Sequence, residues 1–420
     1  MAPPRRTARI VIAVSAALLV AYAIVFAQLS RVDIGRSDFS AFYVGGMLLR
    51  GGHAASLYDE SLQAPLHARL IAPDAEGNLP FVDPPVAAAL VAPVTLLGLD
   101  GAYRVWALVE LAALVVAVAV AVRGVPRGDA LPAGAAALAG TGTLFAVAQA
   151  QWTPLLALGL AVAFHTWRRR AGPESWAAAL GAAALLAAAA IGKPQLALGL
   201  VAFLLGWRRR GLLLGAATAV GGVAVLSLAL VGPAGIAGFL RIVAGSTTRS
   251  DPHLMVGASG LAAAFAGAGA PVALLTAVIA LTACMTAFVL GTRVRRDPAQ
   301  LPAALAGAAA LSLLASPHAY LDDFTMLAPA AAWSLAAAAA TGSWRRFVAV
   351  LGLWAALSGA AVADLAGGGR LPTGPPTAYV LAAMGLVALA STGTTAAWRV
   401  RYRARGEAAL GAVADGVRNG

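Results

Sequence analysis

Cysteine is nearly absent from this chain of 420 residues. Cys284 stands alone, so no disulfide can form within the chain and no redox pair is encoded. Lysine is as scarce, since Lys193 is the one ammonium among 30 basic side chains. Only 11% of the residues are charged, against about 25% in an ordinary soluble domain. No Walker loop, Rossmann glycine fingerprint or His/Cys metal spacing occurs, and no internal repeat is visible. The one glycine-rich run that invites such a reading, GTGTLF at 140–145, lies inside an apolar stretch with neither a lysine nor a preceding strand, and reads as noise.

What remains is hydrocarbon. Hydrophobic residues make up 60% of the chain and the mean hydropathy is +0.81. Apolar runs of about 20 residues, long enough to cross a bilayer core, recur from end to end. The expected fold is therefore all-α, a polytopic transmembrane helical bundle. The net charge of +12 would suggest nucleic acid in a soluble protein, but its distribution excludes that partner. Arginines cluster at the ends of apolar runs, at 5–9, 168–170, 208–210, 293–296, 345–346 and 399–405, which marks cytoplasmic loops by the positive-inside rule. The basic start and apolar stretch of the first 29 residues resemble a secretory signal, but Ile10 to Ala27 is too long for one, so an uncleaved first helix is expected.

With the arginine clusters fixing the inner side, further helices are expected near 101–122, 130–148, 152–167, 173–191, 194–207, 211–231, 271–291, 299–315, 321–341, 346–365 and 377–398. The segment 84–98 carries Pro84, Pro85 and Pro93 and reads as a half-membrane or interfacial helix. The count is about 12 spans with both ends cytoplasmic. One integral domain is expected over 1–398, with an outer loop at 30–83 and a basic cytoplasmic tail at 399–420.

On this topology the polar residues gather outside. Asp38, Tyr43, His53, Tyr58, Asp59 and Asp83 fall in the first outer loop, Gln149 and Gln151 in the second, and Lys193 and Gln195 in the third. Asp251 and His253 fall in the fourth, and His318, Tyr320, Asp322 and Asp323 in the fifth. One outward-facing site explains them economically. Lys193 interrupts an apolar run as GKPQ, where Pro194 opens a new helix; a cation beside free helix N–H groups suits a phosphate, and the alternative is a snorkelling interfacial lysine. Asp38 precedes Phe39, Phe42, Tyr43, Met47 and Leu48, whose spacing predicts an amphipathic helix lying on the membrane, and Asp38 either caps that helix or reacts. His318 and Asp322 share a helix face if the helix begins early enough, to orient sugar hydroxyls or cap the helix in preference to holding a metal; no metal or other cofactor is expected.

The order and spacing of DFSAFYVGGMLLRGG, LYD, FVDPPVAAALVAPVTLL, QAQWTPLLAL, GKPQLAL and SPHAYLDDFTMLAPA resemble glycosyltransferase family 87, polytopic GT-C enzymes that include polyprenol-phosphate-mannose-dependent α-1,2-mannosyltransferases. The likeness covers roughly residues 10–340 as scattered short motifs. It departs from the family pattern at Asp83, where a Tyr is usual before the Pro pair, and in QAQWTP, which replaces a more common Gly-Gln-Asn pattern. The resemblance implies a polyprenyl-phosphate sugar donor, an extracytoplasmic site in a bacterial inner membrane, and a catalytic Asp that maps to Asp38. It implies an inverting transfer of a hexose, mannose by family, to a hydroxyl of a glycan or glycolipid acceptor. Lys193 and Gln195 then face the donor phosphate, while Tyr43, Tyr58, Asp59, Asp83, Gln149, Gln151, His318, Tyr320, Asp322 and Asp323 line the sugar or acceptor. The competing readings are a multi-pass secondary transporter of a polar solute and a non-catalytic binder of lipid-linked glycans.

Overall fold

A computed structural model describes residues 5–72, 79–169, 175–246, 255–266, 270–366 and 374–390. Asp251, His253 and the expected tail at 399–420 lie outside them. Among the described residues every regular element is helical. That is what a chain this apolar requires, because hydrocarbon offers no partner for an unpaired backbone N–H or C=O.

The outer-loop elements come first. α1 (Arg5–Gln28) runs into α2 (Arg31–Arg36), whose start is closed by a capping box between Ser30 and Asp33. α3 (Phe39–Arg50), α4 (Glu60–Ile71) and the seven-residue α5 (Pro85–Val91) follow. The expectation that α3 lies on the membrane is corrected here: nine of its 12 residues are buried within the protein. The reason is its glycine pair. A Cβ on Gly45 would stand 2.7 Å from the Phe81 ring, and one on Gly46 would stand 2.9 Å from Thr95, so α5 and its flanks close directly onto α3. The apolar face meant for lipid instead builds an aromatic core of Phe39, Phe42, Tyr43, Phe81, Tyr103, Trp106 and Trp152.

The bundle follows as α6 (Gly98–Ala121), α7 (Arg127–Leu138), α8 (Thr141–Gln149), α9 (Thr153–Arg169), α10 (Trp176–Ile191), α11 (Leu198–Trp207), α12 (Arg210–Ser246), α13 (Ala258–Ala266), α14 (Ala270–Arg296), α15 (Leu301–Ala315), α16 (Ala328–Ala340), α17 (Trp344–Ala366) and α18 (Gly374–Ala390). Among the described residues, five stretches are long and apolar enough to cross a membrane: Arg6–Gln28, Val94–Ala121, Arg210–Gly245, Pro271–Arg296 and Pro298–Ala315. α7 and α8, bent by 53° at their junction, make a sixth if counted as one. Leu96, Val225 and Leu274 on these stretches are largely exposed, as lipid-facing side chains are.

The count of 12 is thus met only in part, and the shortfall has visible causes. α10 and α11 are short apolar helices separated by a break at Gly192–Lys193, and the expected helix at 130–148 is divided between α7 and α8. Residues 321–341 begin as a 3-10 turn, Leu321–Leu327, before α16. The segment 84–98 holds the short helix α5, which ends at Val91, and the turn Val94–Leu97, which leads straight into α6. The expected end of a helix at 231 is met, because Gly232 adopts φ 66, ψ 179 ahead of Pro233 and kinks α12 there. Beyond the kink, Phe239 packs on Tyr58 with ring centroids 5.4 Å apart, tying α12 to the first outer loop.

The junction between α10 and α11 is pinned from α15. The buried Ser312 hydroxyl donates to the Leu196 carbonyl at 2.6 Å and accepts from the Gly199 N–H at 2.9 Å and the Leu200 N–H at 3.3 Å. Ser312→Ala strands these groups in a dry interior and is expected to destabilise the fold by about 1–3 kcal/mol. A lowered unfolding midpoint in detergent checks this, and an unchanged one would show that the junction stands without the hydroxyl.

Candidate functional site

Five segments far apart in sequence are brought together by hydrogen bonds, ion pairs and charge coupling. They are the start of α3 with Asp38, the stretch before α5 with Asp83, the turn between α8 and α9 with Gln149 and Gln151, the α10–α11 junction with Lys193, and the 3-10 turn carrying Asp322 and Asp323.

Asp38 occupies the N-cap position of α3, yet its side chain makes no capping hydrogen bond. Capping therefore does not account for its carboxylate. The Asp38 backbone N–H donates to the Gln149 side-chain oxygen at 2.9 Å, and the Gln151 side-chain amide donates to the Asp38 carboxylate. Ala150 lies between the two glutamines in the left-handed conformation, φ 52, and this turn brings both side chains to one aspartate. Such strain in a residue other than glycine or asparagine is most common where a site demands it.

Lys193 is the hub. Its Nζ lies 2.9 Å from an Asp322 oxygen and 2.6 Å from an Asp323 oxygen, and only 11% of the side chain is exposed. Asp323 uses its other oxygen to accept the Tyr320 N–H at 2.9 Å. The turn that carries both acids is seated on α8: the Thr325 hydroxyl reaches the Gly142 carbonyl at 2.7 Å and the Asp322 carbonyl at 2.8 Å. A Cβ on Gly142 would fall 2.9 Å from the Thr325 nitrogen, so only glycine lets the turn lie this flat. The Thr153 hydroxyl, from α9, reaches the Asp322 carbonyl at 3.3 Å. Thr153, Thr325 and Gly142 escaped the sequence reading; the GTGTLF run was the one available signal, and it concerns packing, not a nucleotide.

The charges act on one another. Burial pushes the Asp38 carboxyl up to about 6, with Asp322 adding to the shift and Lys193 and the Gln151 amide opposing it. Burial likewise raises Asp83 to about 7, against Lys193 and with Asp38 adding. Asp323 is raised by burial and by Asp322. Burial works to lower the Lys193 pKa, but Asp322 and Asp323 outweigh it and hold the ammonium charged well above its usual range. His318 is pushed down by burial and by Lys193, both of which disfavour the imidazolium form. Its Nε2 is buried without a hydrogen-bond partner.

Other expected residues are engaged elsewhere. The Tyr43 hydroxyl donates to the Thr95 carbonyl at 3.1 Å inside the aromatic core. Tyr58 donates to the Asp83 carbonyl at 2.6 Å and stacks on Phe81, so it supports the site from behind. Asp59 is exposed and caps α4 by accepting the Ser61 N–H at 2.9 Å. Gln195 lies half-buried on the turn Pro194–Ala197, which Pro194 opens as expected. His318 precedes the helical turn that starts at Leu321, so it does not share a helix face with Asp322. The ammonium of Lys193 does not stand alone awaiting an anion: two carboxylates already hold it.

Apolar helices that carry a buried, charge-coupled polar site define a multi-pass membrane protein. The sequence matches glycosyltransferase family 87 over residues 81–317, more than half of the chain, and the protein belongs to that family. The matched region contains Asp83, Gln149, Gln151, Lys193 and Gln195, while Asp38, Asp322 and Asp323 lie beyond its ends. No curated protein and no solved structure matches the chain.

Two expectations follow from the electrostatics. Lys193→Ala leaves two buried carboxylates without their counter-charge, and should destabilise the fold by about 3–5 kcal/mol, read from unfolding in detergent near neutral pH. An unfolding midpoint equal to that of the wild type would show that the triad carries no net stabilisation. Asp83, raised above its unfolded value of 3.8, favours the folded state fully below about pH 4 and loses that contribution as pH rises through about 7. Asp83→Asn should therefore flatten the fall in unfolding midpoint between pH 4 and 8, and a profile parallel to the wild type would refute the assignment.

Proposed function

We propose that this membrane glycosyltransferase moves a hexose, mannose by family, from a polyprenyl-phosphate donor to a hydroxyl of a glycan or glycolipid acceptor. The chain is read as one integral domain over 1–398, and the site opens to the extracytoplasmic side of a bacterial inner membrane. The about 12 spans of the full topology belong to this reading.

The observation that carries it is the state of Asp38: its carboxyl makes no capping bond, accepts from the Gln151 amide and is raised to about 6, while its backbone N–H is held by Gln149. A general base serves best when its pKa lies near the working pH. The Asp38 carboxylate takes the proton of the acceptor hydroxyl while that oxygen forms a bond to the anomeric carbon. The bond from that carbon to the phosphate oxygen breaks with its electron pair, and polyprenyl phosphate departs. One displacement inverts the anomeric configuration. The leaving phosphate is already anionic and needs little protonation, so nearby positive charge suffices to stabilise it. Lys193, buried between Asp322 and Asp323, supplies that charge as the arriving phosphate raises the Asp323 carboxyl, already at about 7, toward its neutral form and so frees the ammonium's field, with Gln195 two positions along the chain. Asp83 and His318 supply polar contacts for sugar hydroxyls, with Gln149, Gln151 and Tyr320 around them; Tyr43 and Tyr58 contribute by fixing the wall behind.

Membranes supplied with radiolabelled polyprenyl-phosphate mannose, and with other polyprenyl-phosphate hexoses in parallel, test the reading. Transfer of label should fall at least about a hundredfold in Asp38→Asn at undiminished protein level, since losing a general base typically costs 10² to 10⁴ in rate. The wild-type rate should rise with pH through about 6, where the base ionises, and that limb should vanish in the mutant. Near-normal transfer by Asp38→Asn removes Asp38 from the mechanism; solute uptake without covalent transfer would point to a transporter.

A further inference from the structure

Glu110 is a carboxyl with no assigned work. It lies in α6, within the stretch Val94–Ala121 that is fit to cross a membrane, about three turns beyond Gly98. The side chain is fully buried, and neither oxygen makes a hydrogen bond of ordinary geometry. The donor acting on it is the Leu155 N–H in the first turn of α9, a group it shares with the Trp152 carbonyl at 3.1 Å. Carboxyls at membrane depth are expensive and are seldom kept for packing.

Its neighbours on α6 give the reason. Tyr103, Trp106 and Glu110 recur at helical spacing along one face, and that face follows residues 147 to 155 in order. The Tyr103 hydroxyl donates to the Val147 and Ala148 carbonyls at 2.9 and 3.0 Å. The Trp106 ring meets the edge of Trp152 with centroids 4.9 Å apart. Glu110 faces Leu155. Between these supports stands the turn with Ala150 at positive φ, whose two glutamines grip Asp38. The indole N–H groups of Trp106 and Trp152, and the Gln151 side-chain oxygen, are likewise buried without partners. The turn's backbone bonds run back to α8, from the Ala150 N–H to the Val147 carbonyl at 3.2 Å and from the Gln151 N–H to the Ala146 carbonyl at 3.0 Å, so beyond α8 its Trp152 side chain leans on the α6 face.

We propose that Glu110 is a positioning residue: from inside the membrane it anchors the start of α9, and through the 149–153 turn it fixes the geometry of Asp38. A negative or acceptor group near the positive end of α9 opposes unwinding of its first turn. That turn lacks one N–H donor already, at Pro154. The catalytic part of this proposal rests on the transferase reading; the anchoring part does not.

The test separates the two. Hydrogen exchange is followed by mass spectrometry on the full chain in lipid nanodiscs, for wild type, Glu110→Gln, Glu110→Leu and Glu110→Met. The leucine and methionine variants should exchange at least about tenfold faster in peptides covering 147–156, with other helices unchanged. Glu110→Gln, which keeps the length and the acceptor, should stay close to wild type. In the transfer assay, Glu110→Leu should lower kcat about tenfold or more with the donor KM within about twofold, and Glu110→Gln should recover most of it. Unchanged exchange at 147–156 in both apolar variants overturns the proposal. So does faster exchange spread over the whole bundle, or failure of both to accumulate, because Glu110 is then a general packing residue. If the wild type shows no sugar transfer, the transferase reading fails while the exchange pattern still decides the anchoring.

Discussion

The site depends on one ammonium held between two carboxylates in a place that water barely reaches. Taking Lys193, Asp322 and Asp323 out of water is unfavourable by several kcal/mol for each ion, and only short, well-directed contacts offset it. The contacts are of that kind, at 2.9 and 2.6 Å, with the remaining Asp323 oxygen satisfied by a backbone N–H. Such an arrangement tolerates little displacement, so everything that sets its geometry becomes part of the site. Ser312 fixes the junction that presents the lysine, while Gly142, Thr153 and Thr325 fix the turn that presents the acids.

Asp38 stands outside this triad but within its field. Asp322 acts to keep it protonated and Lys193 to keep it ionised, so its raised value reflects a balance in which burial is the largest influence. The two glutamines act differently. Gln149 accepts from the backbone and so places the start of α3, whereas Gln151 donates to the carboxylate and favours its charged form. The QAQ sequence thus places and tunes a single residue, which a lone amide could not do at both points.

Much of this was legible in the sequence, and the exceptions share a cause. Apolar run length located many of the helices, including the break at Gly232, because burial in hydrocarbon acts on each run locally. Asp38, Lys193, Gln151, Asp322 and Asp323 were identifiable because polar groups are conspicuous in an apolar chain. Depth was not legible. α3 has the spacing of an interfacial helix, and only the three-dimensional fit of Gly45 against Phe81 shows that its apolar face meets protein and not lipid. The same blindness hid Glu110, a single acid in a run that otherwise reads as an ordinary span. Tyr43 and Asp59 failed in the opposite sense, since their local chemistry suited a site while a carbonyl and a helix cap had prior claim on them.

The excess of acid over base bears on how an anionic donor is accepted. Asp38, Asp83, Asp322 and Asp323 surround one Lys193, so a fully ionised site would repel a sugar phosphate. Values near 6 and 7 at Asp38 and Asp83 place those carboxyls where modest changes in field decide their charge. On the proposed reading, an arriving phosphate raises them further, because a nearby like charge disfavours ionisation. Donor binding is then coupled to proton uptake. The chemistry needs the opposite state at one position: the acid nearest the acceptor must be ionised before the bond from the anomeric carbon to the phosphate oxygen breaks, because it takes the hydroxyl proton as that bond lengthens. Asp38 is placed for that by the Gln151 amide, a donor to its carboxylate that Asp83 and Asp322 do not share.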